Sequence, residues 1–145
     1  CLSSMPSLET GIVIMATGGF LYNQLTDEMV LAPIYDCGSA LYPQVDESLA
    51  KKILSSKSEM KARVYEIPTS AINLNGRRIN YQKFISSHAY EECDRALERI
   101  APRIDMAEIE SLIEETEIRS DAIKEFLIKI LKLRKQLILD ANLVI

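Results

Sequence analysis

Residues 31–44 read LAPIYDCGSALYPQ, with an Asp-x-Gly step at Asp36, Cys37 and Gly38. Before this stretch, two apolar runs, 20–22 and 29–31, flank the polar residues 23–28, which predicts a β-hairpin. Pro33 limits the second strand, because proline cannot donate to a strand ladder. Taken alone, an Asp before Gly favours a turn residue that hydrogen-bonds its own backbone. The stretch therefore connects the predicted hairpin to the part of the chain that begins after Gln44.

Two short helices and a second hairpin are predicted after this stretch. Acidic residues suit the positive amino end of a helix, so Asp46 and Glu47 predict a helix to about Leu54. A second helix is predicted over 58–65, ending before Pro68. Residues 71–81 alternate around Asn75-Gly76, the strongest short-range hairpin signal.

The remainder of the chain has helical periodicity. Apolar residues recur at three- and four-residue spacing up to Ile100, and Pro102 ends that helix. Capping-box-like spacing at Asp105 predicts the next helix. Ser120 or Asp121 caps a last, long helix. Its predicted apolar positions are Ile123, Phe126, Leu127, Ile130, Leu131 and Leu137.

Bulk properties exclude several classes of function. The net charge of -4 and pI near 5.1 argue against broad nucleic-acid binding, which normally needs a basic face. The apolar run 12–16 is too short to span a bilayer, so no membrane association is expected. Three cysteines, Cys1, Cys37 and Cys93, have neither disulfide-framework nor zinc-ligand spacing. A reducing cytoplasm is the predicted location.

The quoted stretch resembles the metal-binding segment of HipA-like serine/threonine protein kinases, and 68–72, 79–81 and 102–105 are also similar to that family. The resemblance covers 20–145 and implies a mainly α, kinase carboxyl-lobe-like helical bundle with one or two short β-hairpins. In kinases an Asp at this place holds the magnesium that bridges the nucleotide phosphates. The resemblance thus implies that Asp36 is a metal ligand, with Mg²⁺ and ATP as cofactors of the intact family.

Residues 1–19 depart from the family. Phosphoryl transfer needs a catalytic-loop Asp, an Asn five residues later and a nucleotide-binding lobe with its Lys. Residues 7–19, where the family places the loop, contain neither Asp nor Asn. We interpret 1–19 as an irregular, out-of-frame segment, because permitted codons for 12–18 read D-R-N-N-G-N-W in the neighbouring frame. A one-base correction in the guanine run before Phe20 would restore the loop.

Other candidate residues have plainer interpretations. His88 is predicted to lie at the surface, without a Ser or Cys partner for nucleophilic chemistry. The pair Gly18-Gly19 lacks the context of a phosphate loop, and Cys37 fits a small buried side chain better than a reactive thiol. The last helix is locally basic, which we interpret as the solvated face of a bundle rather than a membrane or nucleic-acid surface. Its basic residues are Lys124, Lys129, Lys132, Arg134 and Lys135.

Two functions remain open for this chain, and a third, an active kinase, remains open for the longer protein that the frame correction would give. The first is the carboxyl-terminal portion of a kinase, inactive as this chain and binding neither Mg²⁺ nor ATP alone; the resemblance adds a family role as toxin of a toxin-antitoxin pair. Whether the chain is an enzyme stays open. The alternative is a noncatalytic helical interaction module that binds an antitoxin or another protein. A lobe interface exposed at Leu21, Leu31 and Ile34 also predicts self-association.

Overall fold

The computed structural model describes residues 20–23, 25–31, 41–67, 72–117 and 119–143. The predicted irregular segment 1–19 and the Asp-x-Gly step lie outside these residues. Among the described residues, six α-helices and two short antiparallel strand pairs form the fold. The predicted mainly α fold with short hairpins is therefore confirmed.

The first hairpin forms where the sequence predicts it. Strand β1, Phe20–Asn23, pairs antiparallel with β2, Glu28–Leu31. In the turn, the Asn23 side chain accepts a hydrogen bond from the Leu25 amide at 3.0 Å. Asp27 adopts a left-handed φ of 54°, a conformation that Asp tolerates better than most residues. The turn is thus stabilised by contacts between residues close in sequence.

Helices α1, Glu47–Ser55, and α2, Lys57–Tyr65, follow with almost no connection between them. Asp46 caps α1, because its side chain accepts from the Leu49 amide at 2.8 Å. Ser56 ends α1 and also caps α2, accepting from the Glu59 amide. Both helices match their predicted ranges within one residue.

The second hairpin pairs β3, Asn73–Leu74, with β4, Arg77–Arg78. Its two central residues, Asn75 and Gly76, have φ of 51° and 76°. Two consecutive positive φ values are what a type I′ turn requires, and this is why Asn-Gly is favoured there. The predicted Asn-Gly hairpin is confirmed, with strands of only two residues each.

The helical stretch after the second hairpin contains a break that the sequence did not predict. Helix α3, Tyr81–Ile85, is separated from α4, Glu91–Ile100, by a turn in which His88 has a φ of 47°. Pro102 lies within a short 3-10 turn, Ala101–Arg103, so α4 does end just before the proline as predicted.

The last two helices complete the bundle. Asp105 caps α5, Met106–Glu114, by accepting from two backbone amides. Helix α6, Asp121–Arg134, then widens into a π-helical turn, Lys135–Leu139. The prediction that Leu137 lies on the apolar face is wrong, because the wider turn exposes Leu137 and buries Ile138 instead.

Helix α6 is the centre of the hydrophobic core and packs against α1, α2 and α5. Phe126 and Ile53 are fully buried, and Ile130 is 1% exposed. Burying side chains of this size stabilises the fold by about 1.5–3 kcal/mol each. The other buried members of this cluster are Val45, Ala50, Met60, Val64, Ile113, Ile123, Leu127, Leu131 and Ile138.

Candidate functional site

The predicted metal ligand Asp36 lies between two described segments. Strand β2 ends at Leu31, and the chain is described again from Leu41, where a turn leads into α1. Asp36 itself, with Cys37 and Gly38, lies outside the described residues, so its assignment as a metal ligand stays a prediction. The described site is therefore the turn at Leu41 and Tyr42 and the groups that hold it.

Leu41 and Tyr42 both have left-handed backbone conformations, with φ of 57° and 52°. A side chain in this region costs roughly 1–2 kcal/mol per residue, because Cβ approaches the following carbonyl oxygen. Neither residue is the Gly or Asn that usually relieves this strain. Since the turn is disfavoured locally, contacts from elsewhere in the fold must hold it.

The side chain of Tyr42 connects the turn to the helical body. Its ring meets the buried ring of Phe126 on α6 edge to face, with centroids 5.4 Å apart. Its hydroxyl donates to the carbonyl of Ile67, at 2.9 Å, just beyond α2. Its backbone carbonyl accepts from the Val45 amide at 3.0 Å. Tyr42 thus joins the turn to α6 and to the end of α2.

Arg134, at the end of α6, completes this cluster and was wrongly assigned from the sequence. It was predicted to lie on the solvated basic face, but it is 5% exposed. Its Nη2 donates to the Tyr42 hydroxyl and to the carbonyls of Arg63, at 2.7 Å, and Ile67, at 2.5 Å. The guanidinium carbon also lies 5.2 Å from the centroid of the Tyr42 ring.

The backbone at the end of α2 explains why a cation is buried here. The Ile67 amide would bond the Arg63 carbonyl in a continuing helix, but it bonds the Ala62 carbonyl instead. The last carbonyls of a helix need other donors and carry partial negative charge. Arg134 supplies both the donors and the positive charge. We call Tyr42, Arg134 and the two carbonyls the Arg134 cluster.

Electrostatics within the Arg134 cluster follow from burial. Burial raises the pKa of the Tyr42 phenol above its usual value, although the nearby Arg134 and Arg63 oppose the shift. Burial also lowers the pKa of Arg134, although Tyr42 opposes it. The Nε atoms of Arg63 and Arg134 are buried without a hydrogen-bond partner in the described part of the chain. The cluster is thus incompletely satisfied, which costs free energy.

His88 lies at the surface, as predicted, but it has a partner. Its Nδ1 lies 3.0 Å from a carboxylate oxygen of Asp94 on α4. Cys93, which precedes Asp94 on α4, is exposed as a residue. Partial burial of its thiol raises its pKa, and the nearby carboxylates of Asp94 and Glu92 raise it further. A raised pKa keeps a thiol protonated and disfavours nucleophilic chemistry.

Two further kinds of site are absent where the chain is described. No three His, Cys, Asp or Glu side chains within 20–23, 25–31, 41–67, 72–117 and 119–143 converge as a metal site. Over the same ranges, no helix is long and apolar enough to cross a membrane.

The β1–β2 hairpin exposes apolar side chains to an unusual degree. Leu25 is 96% exposed and Met29 62%, and Tyr22 and Val30 are each more than half exposed. The side chains of Leu21, Leu31 and Ile34, where we predicted an exposed interface, lie outside what the structure describes. The described neighbours expose apolar side chains on both faces of the hairpin, because Met29 and Val30 are successive strand residues.

The chain resembles a known protein kinase in both sequence and fold. The chain is 44% identical over 123 residues to the serine/threonine-protein kinase CtkA of Helicobacter pylori strain J99, which covers 84% of this chain and 38% of CtkA. The fold matches the crystal structure of the Helicobacter pylori proinflammatory kinase CtkA with a TM-score of 0.75 and 42% identity. That match covers 86% of this chain and 43% of the CtkA chain. Comparison with protein-family models finds no match.

Proposed function

Because this chain belongs to the HipA-like serine/threonine-protein kinase family and spans less than half the length of CtkA, we propose that it is the carboxyl-terminal portion of an ATP-dependent protein kinase that cannot transfer phosphate by itself. The observation that carries this proposal is the 44% identity over 84% of the chain. A likeness at that level, together with a matching fold, supports descent from a kinase and not merely a shared helical architecture.

Asp36 is the residue of this chain that we assign to the chemistry. Its carboxylate follows the β1–β2 hairpin in sequence, the order in which kinases present their metal-binding Asp. Magnesium bound there would bridge the nucleotide phosphates and neutralise charge during transfer. A single carboxylate binds magnesium weakly, because the ion is usually shared with substrate phosphates. We therefore propose that ATP and Mg²⁺ belong to the intact protein, and that this chain retains neither alone.

Inactivity of this chain follows from residues 7–19. They contain no Asp to orient a substrate hydroxyl and no Asn for the metal. The neighbouring reading frame of 12–18 can encode both, which supports our proposal that the segment is an out-of-frame catalytic loop. A cytoplasmic location and a toxin role belong to the same proposal, since they rest on the family and the scattered cysteines.

Resequencing the DNA through the guanine run before Phe20 is the first test. We expect the neighbouring frame to encode the Asp-Arg-Asn-Asn-Gly-Asn-Trp loop. A protein made from the corrected frame should then transfer radioactive phosphate from ATP, whereas this chain should not. Asp36→Asn in the corrected protein should abolish labelling, with Asp46→Asn as the matched control. Labelling that persists in Asp36→Asn would contradict the metal role, and a neighbouring frame without the loop would contradict the frameshift.

An interaction module is the second candidate, and the exposed β1–β2 hairpin favours it. Its apolar side chains have little contact with the helical body, so a protein partner could bury them. The partner would be an antitoxin or another protein, or a second copy of this chain. The β3–β4 hairpin is a weaker candidate for pairing with a strand of a partner protein, because its own strands are only two residues long.

Purification of the tagged chain from its own host tests this alternative. We expect one stoichiometric partner that is lost when Leu25 and Met29 are both changed to Ser. A matched control changes the exposed Leu112 to Ser, on α5 and away from the hairpin. Binding that survives the hairpin variant, or that the Leu112→Ser control also loses, would exclude the hairpin as the contact.

A further inference from the structure

Helix α4 is amphipathic, but its apolar side is not buried. Its apolar residues Cys93, Ala96, Leu97 and Ile100 recur at three- and four-residue spacing, which places them on one side of the helix. All residues of α4 are described, and none of them is buried. Ile100 is 53% exposed. Helix α4 therefore leaves part of its apolar side open to solvent, where a surface helix normally turns that side to the core.

The side of α4 that packs against the rest of the fold is rotated away from this apolar side. Asp94 and Leu97 line a cleft against α3, and Ala101, just after α4, is fully buried. The cleft has a volume of about 30 Å³, close to the share of one water molecule in liquid, so it is nearly filled. At 3.6 residues per turn, Ala96 and Ile100 lie about a quarter turn or more from that packed side. They form the open side of the helix.

Two opposite charges lie along the open side of α4. Glu92 and Arg99 are seven residues apart, so they share one edge of the helix, roughly 10 Å from each other along its axis. Arg99 is exposed and makes no ion pair with the described residues. Glu92 has only a long contact of 3.9 Å with Arg95, between side chains 78% and 63% exposed. Both charges are therefore available to a partner.

The order of these charges is complementary to itself. An antiparallel helix of the same sequence would place the partner's Arg99 beside Glu92 and the partner's Glu92 beside Arg99. Ala96 lies close to the midpoint between them, and its small side chain allows two helices to approach closely. A uniformly basic or uniformly acidic partner would match only one of the two charges. The pattern thus favours a second copy of this chain over a partner of single charge.

We propose that Glu92, Ala96, Arg99 and Ile100, which we call the α4 face, form a docking surface for a second copy of this chain. The two α4 helices pack antiparallel about a two-fold axis near Ala96. Such an interface is closed after two copies, contains the Glu92–Arg99 pair twice and removes Ile100 from water. The inference is independent of the kinase ancestry and of the β1–β2 hairpin.

Reversal of each charge tests the pairing in sedimentation velocity runs over a range of concentrations. The parent protein carries Val30→Lys, so that the hairpin does not contribute to association. Glu92→Arg and Arg99→Glu should each weaken dimerisation at least about fivefold, because each variant places two like-charged pairs across the axis. An equal mixture of the two variants should associate within about twofold of the parent, since every charge then faces an opposite one. Recovery in the mixture also shows that both variants are folded.

Two further variants separate paired charges from net charge and from apolar contact. Glu91→Arg makes the same change in charge on the opposite side of α4 and should alter dimerisation less than about twofold. Ile100→Ser should weaken it at least about fivefold, because the apolar contact is lost. Equal weakening by Glu91→Arg and Glu92→Arg would mean that net charge alone governs association, and the assigned pairing would be wrong.

Three results would overturn the α4 face as a docking surface. The first is a parent protein that is monomeric at roughly 1 mM, where even a weak dimer is populated. The second is dimerisation of Glu92→Arg, Arg99→Glu and Ile100→Ser at the strength of the parent. The third is a mixture of the two charge variants that associates no better than either variant alone.

Discussion

The helical body, which α1, α2 and α6 form, buries its large apolar side chains. The β1–β2 hairpin exposes its own. In the body, Phe126 and Ile53 are fully buried, whereas in the hairpin Leu25 is 96% exposed and Met29 62%. The sequence marks both regions as regular elements by the spacing of apolar residues. The difference shows that spacing identifies an element, while burial requires a partner surface that the hairpin lacks within the described residues.

The two regions also differ in what sets their backbone. In the hairpin, Asn23 and Asp27 shape the turn through contacts within five residues. At the edge of the body, the turn at Leu41 and Tyr42 depends on Arg134 and on carbonyls at the end of α2. Substitutions in the hairpin should therefore affect only residues close in sequence, whereas substitutions in the helical body should also affect residues far away in the chain.

The largest expected effect is at Phe126. Phe126→Ala should lower the free energy of unfolding by about 3–5 kcal/mol, because it leaves a cavity between α6 and Tyr42. Leu25→Ala in the hairpin should change it by less than about 0.5 kcal/mol. Urea unfolding followed by circular dichroism measures both. Comparable losses in the two variants would show that the hairpin is part of the cooperative core.

A smaller effect is expected at Tyr42. Tyr42→Phe should cost about 1 kcal/mol at neutral pH, because the Ile67 carbonyl loses its hydroxyl donor. Burial raises the pKa of Tyr42 in the folded state, so its contribution is complete below the unfolded pKa of about 10 and is lost as pH rises through the folded pKa.

The difference in stability between the unaltered protein and Tyr42→Phe should therefore shrink as pH rises above about 10. Thermal unfolding between pH 7 and pH 11 measures this difference. Tyr90→Phe, at an exposed tyrosine, provides the matched control. A difference that grows with pH would contradict the assigned direction of the pKa shift.

The smallest expected change in stability is at Val30. Val30→Lys should alter the free energy of unfolding by less than about 0.5 kcal/mol, since Val30 is exposed. It should nevertheless reduce self-association, because a charge interrupts the apolar surface of the hairpin. Sedimentation velocity over a range of concentrations measures this. Thr26→Lys adds the same charge in the turn and should change association less; a monomeric unaltered chain would contradict the premise.

Much of the secondary structure could be predicted because it depends on local chemistry. Asp46 and Asp105 cap the helices that their sequence positions indicated, and Asn75-Gly76 forms its tight turn. The break between α3 and α4 was missed, since residues 86–90 carry no Gly or Pro to mark it. The exposure of Leu137 was missed because a π-helical turn changes the period on which its assignment relied.

The sequence alone gives the family and the prediction, untested by the structure, that Asp36 is a metal ligand, since the string around Asp36 and the helix pattern after it are local features of the chain. Only the tertiary structure decided the role of Arg134. Its neighbours Lys132 and Lys135 are charged, so sequence spacing placed it on a solvated face. Folding instead brings it to the carbonyls of Ile67 and Arg63, 67 and 71 residues earlier in the chain, and the partial negative charge at the end of α2 favours a buried guanidinium there. The helical period predicts in which direction the Arg134 side chain points from α6, but it does not predict which other groups of the fold lie in that direction.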